Sequence, residues 1–202
     1  MSKQILKLGA IVFDSFEILD LFGPLEMFGM LKDKIEITLI SEKDEIITSF
    51  QGPKILSNIT FDQASNIDIL LIPGGFGTRK EVDNKNMIDF IETASRRASY
   101  VATVCTGSAL LAKTGLLDKH NATTNKIAFD WVRDLTPHIN WIPKARWVED
   151  GKFFTSSGVS AGMDMALGLI ERIFNTDTAN EVAHLTEYIW NSDKNYDPFA
   201  KK

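Results

Sequence analysis

The only cysteine of the chain, Cys105, ends the apolar run Tyr100–Val104 and is followed by Thr106, Gly107 and a strongly helical stretch. A strand that turns sharply into a helix presents one side chain at the end of a sheet, and the helix N-terminus behind it favours a negative charge. A thiol so placed is expected to have a lowered pKa and to act as a nucleophile. The local sequence leaves a second reading open, that of a small buried hydrophobe at a strand end. A second segment, Asp68–Gly77, reads DILLIPGGFG, an apolar strand running into a Pro-Gly-Gly-x-Gly turn whose backbone N–H groups can face an anion. It lacks both the Lys-Ser/Thr of a phosphate-binding loop and the spacing of a dinucleotide fingerprint. A third segment places Asp14, Glu17 and Asp20 three residues apart, ahead of Gly23-Pro24 and a helix. A carboxyl aimed at Cys105 would serve as general acid and base once burial raised its pKa, whereas acids at a helix start otherwise cap it or face water. In a fourth segment, Phe154–Asp164, small residues lead into an apolar helix with Ser160 as a candidate cap.

The elements that must position these groups alternate. Short runs rich in Ile, Val and Leu (Lys7–Phe13, Ile35–Ile40, Ile67–Ile72, Tyr100–Val104) read as buried strands. Helical spacing follows at Leu21–Leu31, Asn86–Ala98, Ser108–Leu117, Lys126–Leu135, Ser160–Phe174 and Asp177–Trp190. Two further β-leaning stretches, Glu45–Phe61 and Ile139–Ser156, predict a hairpin or edge excursion and a turn at Glu149–Gly151. Continuously apolar strands imply burial on both faces, so the fold class is α/β, a doubly wound, mostly parallel sheet sandwiched by helices. In such a sheet ligands bind outside the carboxyl ends of the strands, where three of the four segments fall.

At 202 residues with no internal repeat, a single domain is expected, and 44% hydrophobic with 24% charged residues is the composition of a globular protein. A net charge of −5 argues against a nucleic-acid partner, and no apolar run is long enough to span a membrane. A cytoplasmic location is the simplest expectation. With one cysteine and three histidines (His120, His138, His184), no metal site is expected. Phe129 and Trp131, at helical spacing, read as core aromatics before pocket-lining ones.

Taken together, LDLFGPLEMF, LLIPGGFGTR, VATVCTGSALLAKTGLLDK, ATTNKIAFDWV and FTSSGVSAGMDMALGLIE, in that order along nearly the whole chain, resemble the ThiJ/PfpI superfamily. Its fold is flavodoxin-like, that of class I glutamine amidotransferases, and the chain is most similar to the isonitrile hydratase branch and to amidotransferase-like domains of some transcription regulators. The resemblance implies Cys105 as nucleophile, Thr106 as the neighbour that organises the site through its N–H and hydroxyl, Asp20 as the acid bonded to the cysteine, and Gly75 in the loop supplying an oxyanion N–H. Gly74 and Asn125 are substrate-pocket candidates. Thr106 stands where the protease- and amidase-like branch has histidine, which argues against amide hydrolysis, and Asn125 stands where hydratase-like relatives commonly carry histidine. The resemblance thus implies a cofactor-free cysteine enzyme acting on a small-molecule substrate, hydrating an isonitrile to an N-substituted formamide, and a homodimer. The competing expectations are a glyoxalase- or deglycase-like activity on α-oxoaldehydes and a non-catalytic, redox-sensing protein.

Overall fold

Strands apolar at successive positions cannot leave one face in water, and the structure buries them on both. The computed structural model describes residues 5–201. Its elements run β1 (Leu6–Ile11), α1 (Ile18–Gly29), β2 (Ile35–Ser41), β3 (Ile47–Thr48), β4 (Lys54–Ile55), β5 (Ile59–Thr60), β6 (Ile69–Ile72), α2 (Thr78–Glu81), α3 (Lys85–Arg97), β7 (Tyr100–Val104) and α4 (Gly107–Lys113). They continue through β8 (Asn121–Ala122), α5 (Phe129–Leu135), β9 (Asn140–Trp141), β10 (Trp147–Asp150), β11 (Phe153–Ser156), α6 (Ala161–Ile173) and α7 (Thr176–Leu185). Seven strands form one sheet in the order β10-β11-β7-β6-β1-β2-β5. Every pairing in it is parallel apart from the hairpin β10–β11. Helices α1, α6 and α7 pack together, α2, α3 and α5 pack on α4, and the two groups flank the sheet as the doubly wound class predicts. All four residues of β6 are wholly buried, and one continuous hydrophobic cluster runs from Leu8 to Ala183.

The topology sets β11, β7, β6 and β1 side by side and parallel, so four loops leave the same edge of the sheet next to one another. They are the turns before α1, after Ile72, at Cys105 and after Ser156, the four segments singled out in the sequence. The β-leaning stretch Glu45–Phe61 forms the β3–β4 hairpin and the edge strand β5. The turn expected at Glu149–Gly151 joins β10 to β11 with Gly151 at φ +62°.

Three helices are shorter than their apolar spacing suggests. Helix α4 is one of them, ending at Lys113 instead of Leu117 with Gly115 in the left-handed region at φ +76°. Helix α5 begins at Phe129 instead of Lys126 because Asn125 Oδ1 accepts the N–H groups of Ile127 and Ala128, both at 2.9 Å. Helix α7 ends at Leu185, with Glu187 in the left-handed region at φ +51°. The chain then turns back, so that Tyr188 Oη and the Asn191 N–H donate to Asp164 Oδ1 and Trp190 Nε1 donates to the Asp164 carbonyl. Ser160 precedes α6 but makes no side-chain cap; its hydroxyl instead accepts from Arg146 Nη2 at 3.4 Å.

Asp164 is fully buried and lies 2.6 Å from Arg146 Nη2. Burial pushes its carboxyl up, against the opposing pull of the Arg146 guanidinium and the Asn191 N–H. Removing the cation would strand a buried carboxylate, so Arg146→Met is expected to lower unfolding stability by about 3–5 kcal/mol, read from urea denaturation. A loss below about 1 kcal/mol would show that the carboxylate finds another partner.

Candidate active site

Cys105 sits one residue past β7 with φ +56°, a left-handed backbone rarely adopted outside glycine. Its neighbours hold it there. The Cys105 N–H is shared between the Ser156 and Ser157 carbonyls at 3.2 Å, and its own carbonyl accepts the hydroxyls of Ser108 and Thr124, each at 2.9 Å. The sharp strand-to-helix turn expected from the sequence is therefore present, built with hydroxyl side chains from α4 and from the loop before α5.

Of the three spaced acids, one reaches the cysteine. Asp14 is exposed and accepts the Thr48 N–H at 2.8 Å, bracing the β3–β4 hairpin. Glu17, half-buried, accepts from Gln51 Nε2. Asp20, in the first turn of α1, is fully buried, and its Oδ2 accepts the Gly74 N–H at 3.1 Å. Its Oδ1 is buried without a partner of good hydrogen-bond geometry among the described residues. The thiol of Cys105 is nonetheless close enough that each group acts on the other's proton.

Burial dominates the charge balance of this pair. It pushes the Asp20 carboxyl well above the ordinary range; the Cys105 thiol and the Gly74 N–H pull it back, while the Glu17 charge adds to the rise. The lowered thiol pKa expected at a helix start is not what the structure produces. Burial first, and then the negative charge of Asp20, push Cys105 well above its usual value, against the Thr106 N–H and hydroxyl. The pull of a single helix terminus is smaller than the cost of a thiolate that is 6% exposed beside a carboxylate that is wholly buried. Two adjacent anions in so dry a place are strongly disfavoured, so the resting pair keeps at least one proton, and protonating Asp20 removes one of the two causes that hold the thiol neutral.

The Gly-rich turn is tied into the same site. Gly75 donates its N–H to Thr106 Oγ1 at 3.1 Å, and the Gly75 carbonyl accepts the Thr78 hydroxyl at 2.7 Å, with Thr106 Oγ1 3.0 Å from that of Thr78. The Gly75 N–H is thus already satisfied by Thr106, and the Thr106 N–H is the backbone donor that meets the sulfur. Gly75 has φ +128°, and a Cβ there would lie 2.4 Å from the Glu17 nitrogen and 2.5 Å from the Ser15 carbonyl oxygen, atoms that cannot move aside. Gly75→Ala is therefore expected to destabilise the protein by about 3 kcal/mol, measured as a fall in the urea midpoint at unchanged slope. A neutral result would mean that the turn is not held as described. Gly158, after β11, comes close to the same site, where a Cβ would fall 2.5 Å from Asn125 Nδ2 and 2.9 Å from Cys105 Sγ, both side-chain atoms. Asn125 uses its oxygen to stop α5 and leaves its amide nitrogen beside the sulfur, without a partner among the described residues.

A pocket of about 230 Å³ opens over Cys105 and Thr106, walled by Glu17, Phe76, Arg79, Asn125, Ile127 and Val159. The six positions named from sequence, Cys105, Asp20, Thr106, Gly74, Gly75 and Asn125, come together here, but Gly74, expected in the substrate pocket, does not line it, because its N–H turns to Asp20 beneath. Arg79, Phe76 and Thr78 were missed, though they follow the glycines directly in GGFGTR; nothing in their types alone separated them from an ordinary helix start. Trp131, read as core, does pack against the hydrophobic cluster, and its ring also lies under the Arg79 guanidinium, while Phe129 is buried. The histidines lie elsewhere. His120 Nδ1 pairs with Asp150 at 2.9 Å, His138 Nε2 pairs with Asp118 at 2.8 Å, and His184 is exposed on α7. Among the described residues no group of three or more His, Cys, Asp or Glu side chains is arranged to hold a metal ion, and no helix is long and apolar enough to cross a membrane.

Comparison with known proteins agrees with this geometry. The chain is 35% identical over 185 residues to the isonitrile hydratase of Pseudomonas putida, covering 91% of this chain and 78% of that one. It is 25% identical to the transcriptional regulator GbdR of Pseudomonas aeruginosa, spanning half of that longer protein. A ThiJ/PfpI family protein from Pseudomonas syringae superposes with a TM-score of 0.84 at 28% identity, over 93% of this chain and 76% of that one. The model of the DJ-1/PfpI family matches residues 7–172, from the first strand into the helix that follows the Gly158 turn, and the chain belongs to that family.

Proposed function

We propose that the chain is a cysteine-dependent isonitrile hydratase, converting R–N≡C and water to R–NH–CHO. The observation that carries this reading is the buried Asp20–Cys105 pair, whose acid is held towards its protonated form beside a thiol at the floor of a small pocket. An isonitrile carbon is electrophilic and, once attacked, needs a proton on that same carbon. The Cys105 sulfur adds to it while the proton passes to the carbon through Asp20, giving the thioimidate R–N=CH–S–Cys. Water then attacks the thioimidate carbon as Asp20 gives its proton to the imine nitrogen and takes one from the water; the hydroxyl proton of the adduct passes to sulfur as the C–S bond breaks, releasing the formamide and the thiol. The Thr106 N–H steadies negative charge on sulfur as that bond forms and breaks.

Thr106 leaves no imidazole next to the nucleophile, which favours a reaction whose proton is handled by a carboxylic acid over amide hydrolysis. The steps call on no cofactor. The test is a direct one: purified protein is mixed with cyclohexyl isonitrile and, separately, with methylglyoxal, and formamide and lactate are measured. Formamide production well above that of buffer is expected. Lactate without formamide would replace the reading by a glyoxalase-like one. No turnover of either, with peroxide oxidation of Cys105 seen by mass, would replace it by redox sensing.

A further inference from the structure

We propose that Arg79 is the specificity-determining residue of this site, an anchor for a carboxylate on the substrate, so that the substrate is a small anionic isonitrile. The naming of the isonitrile rests on the function proposed above; the anchoring of an anion beside Cys105 does not.

Arg79 follows the glycine turn in α2 and lines the same pocket as Cys105. Exposed at the pocket mouth, its guanidinium lies over two rings, 4.8 Å from the centroid of Phe76 and 4.5 Å from that of Trp131. Phe76 is in turn stacked on Phe50 at 4.7 Å, so the β3–β4 hairpin, the glycine turn, α2 and α5 jointly fix one side chain. Stacking holds the plane of a guanidinium while leaving its N–H edge free, which is the arrangement that meets a carboxylate with two parallel bonds. The Arg79 donors are little used. Their one hydrogen bond is a long 3.4 Å contact to the Gly75 carbonyl, and among the described residues no carboxylate pairs with them.

The other charge at the mouth, Glu17, is engaged by Gln51 and makes no ion pair with Arg79. An entering anion is repelled at Glu17 and attracted at Arg79, which orients it. The pocket volume of about 230 Å³ equals roughly seven or eight water volumes at ~30 Å³ each, so the carbon attacked by sulfur and the anion held by Arg79 belong to one short molecule.

Two experiments test this. In the first, Cys105 is alkylated with iodoacetate and with iodoacetamide, reagents that differ in one negative charge, and the ratio of the two rates is compared between the wild type and Arg79→Met. One charge-assisted pair of roughly 1.4 kcal/mol is a factor of ten, so the ratio is expected to fall by about tenfold or more in the variant. A smaller fall overturns the proposal. Should R79M not fold, the wild type alone decides. Salt weakens attraction to Arg79 and must lower the ratio, whereas repulsion by Asp20 and Glu17 alone would make the ratio rise with salt; a flat or rising ratio overturns the proposal.

In the second, kcat/KM is measured for isocyanoacetate and for its methyl ester. The wild type is expected to prefer the acid, and R79M to bring the acid-to-ester ratio down by about tenfold. A ratio that the substitution leaves in place overturns the proposal while hydration itself stands. The alkylation arm needs no turnover, so an inactive protein whose alkylation ratio falls in R79M overturns the isonitrile and keeps the anion anchor.

Discussion

Cys105→Ala is expected to abolish formamide production, by about 10³-fold or more in kcat, while leaving the protein folded. The proposed reaction passes through a bond between Sγ and the isonitrile carbon, and among the described residues no second nucleophile reaches the pocket floor: Thr106 Oγ1 is bonded to Gly75 and Thr78, and Asp20 is tied to the Gly74 N–H. The fold should tolerate the change. Alanine keeps the Cβ that the left-handed turn already accommodates, and the hydrogen bonds that hold the turn run through backbone atoms of residue 105. Losing one buried sulfur should cost on the order of 1 kcal/mol, a shift of a few degrees at this chain length. Formamide assay and thermal melting on the same preparation check both halves. A folded C105A protein that hydrates isonitrile at the wild-type rate would remove the thiol from the mechanism.

The fold was legible because its signal is local. Runs such as ILLI and YVATV are apolar at consecutive positions, which selects strands buried on both faces, and the strand-to-helix alternation then admits few topologies. Cys105 was legible for a similar reason, since strand, cysteine, threonine and glycine are contiguous. What sequence could not supply is anything that depends on which loops meet. Asp14, Glu17 and Asp20 have the same spacing and chemistry, and only the fold sends one to the sulfur, one to the hairpin and one to Gln51. The sign of the thiol shift failed in the same way, because a helix start is visible in sequence whereas burial against a carboxylate from the first turn of α1 is not. Arg79 and Trp131, about fifty residues apart, acquire meaning only when α2 and α5 bring one over the other.

Asp20→Asn is expected to cut kcat by about 10²–10⁴-fold and at the same time to raise the melting temperature, a combination that separates a catalytic acid from a structural one. Asparagine can keep the bond from the Gly74 N–H and offer an amide hydrogen towards the sulfur, so the shape of the site survives. It cannot give a proton to carbon or take one from water. The stability effect follows from the raised carboxyl pKa of Asp20, whose cause is burial. A group whose folded pKa lies above its unfolded value contributes stability below the unfolded value and loses that contribution as pH rises through the folded one. The wild type should therefore lose stability relative to D20N as pH climbs from about 4, the ordinary aspartate value, through the raised value of the folded protein, with the gap constant above it. The same ionisation removes the proton that the proposed first step consumes, so kcat/KM of the wild type should decline over that upper range, in step with the widening gap in melting temperature. Melting curves of both proteins across pH, beside the rate profile of the wild type, give the two readings independently. A D20N protein that melts lower than the wild type at every pH would mean that Asp20 is buried ionised and stabilising, and would leave the mechanism without its acid.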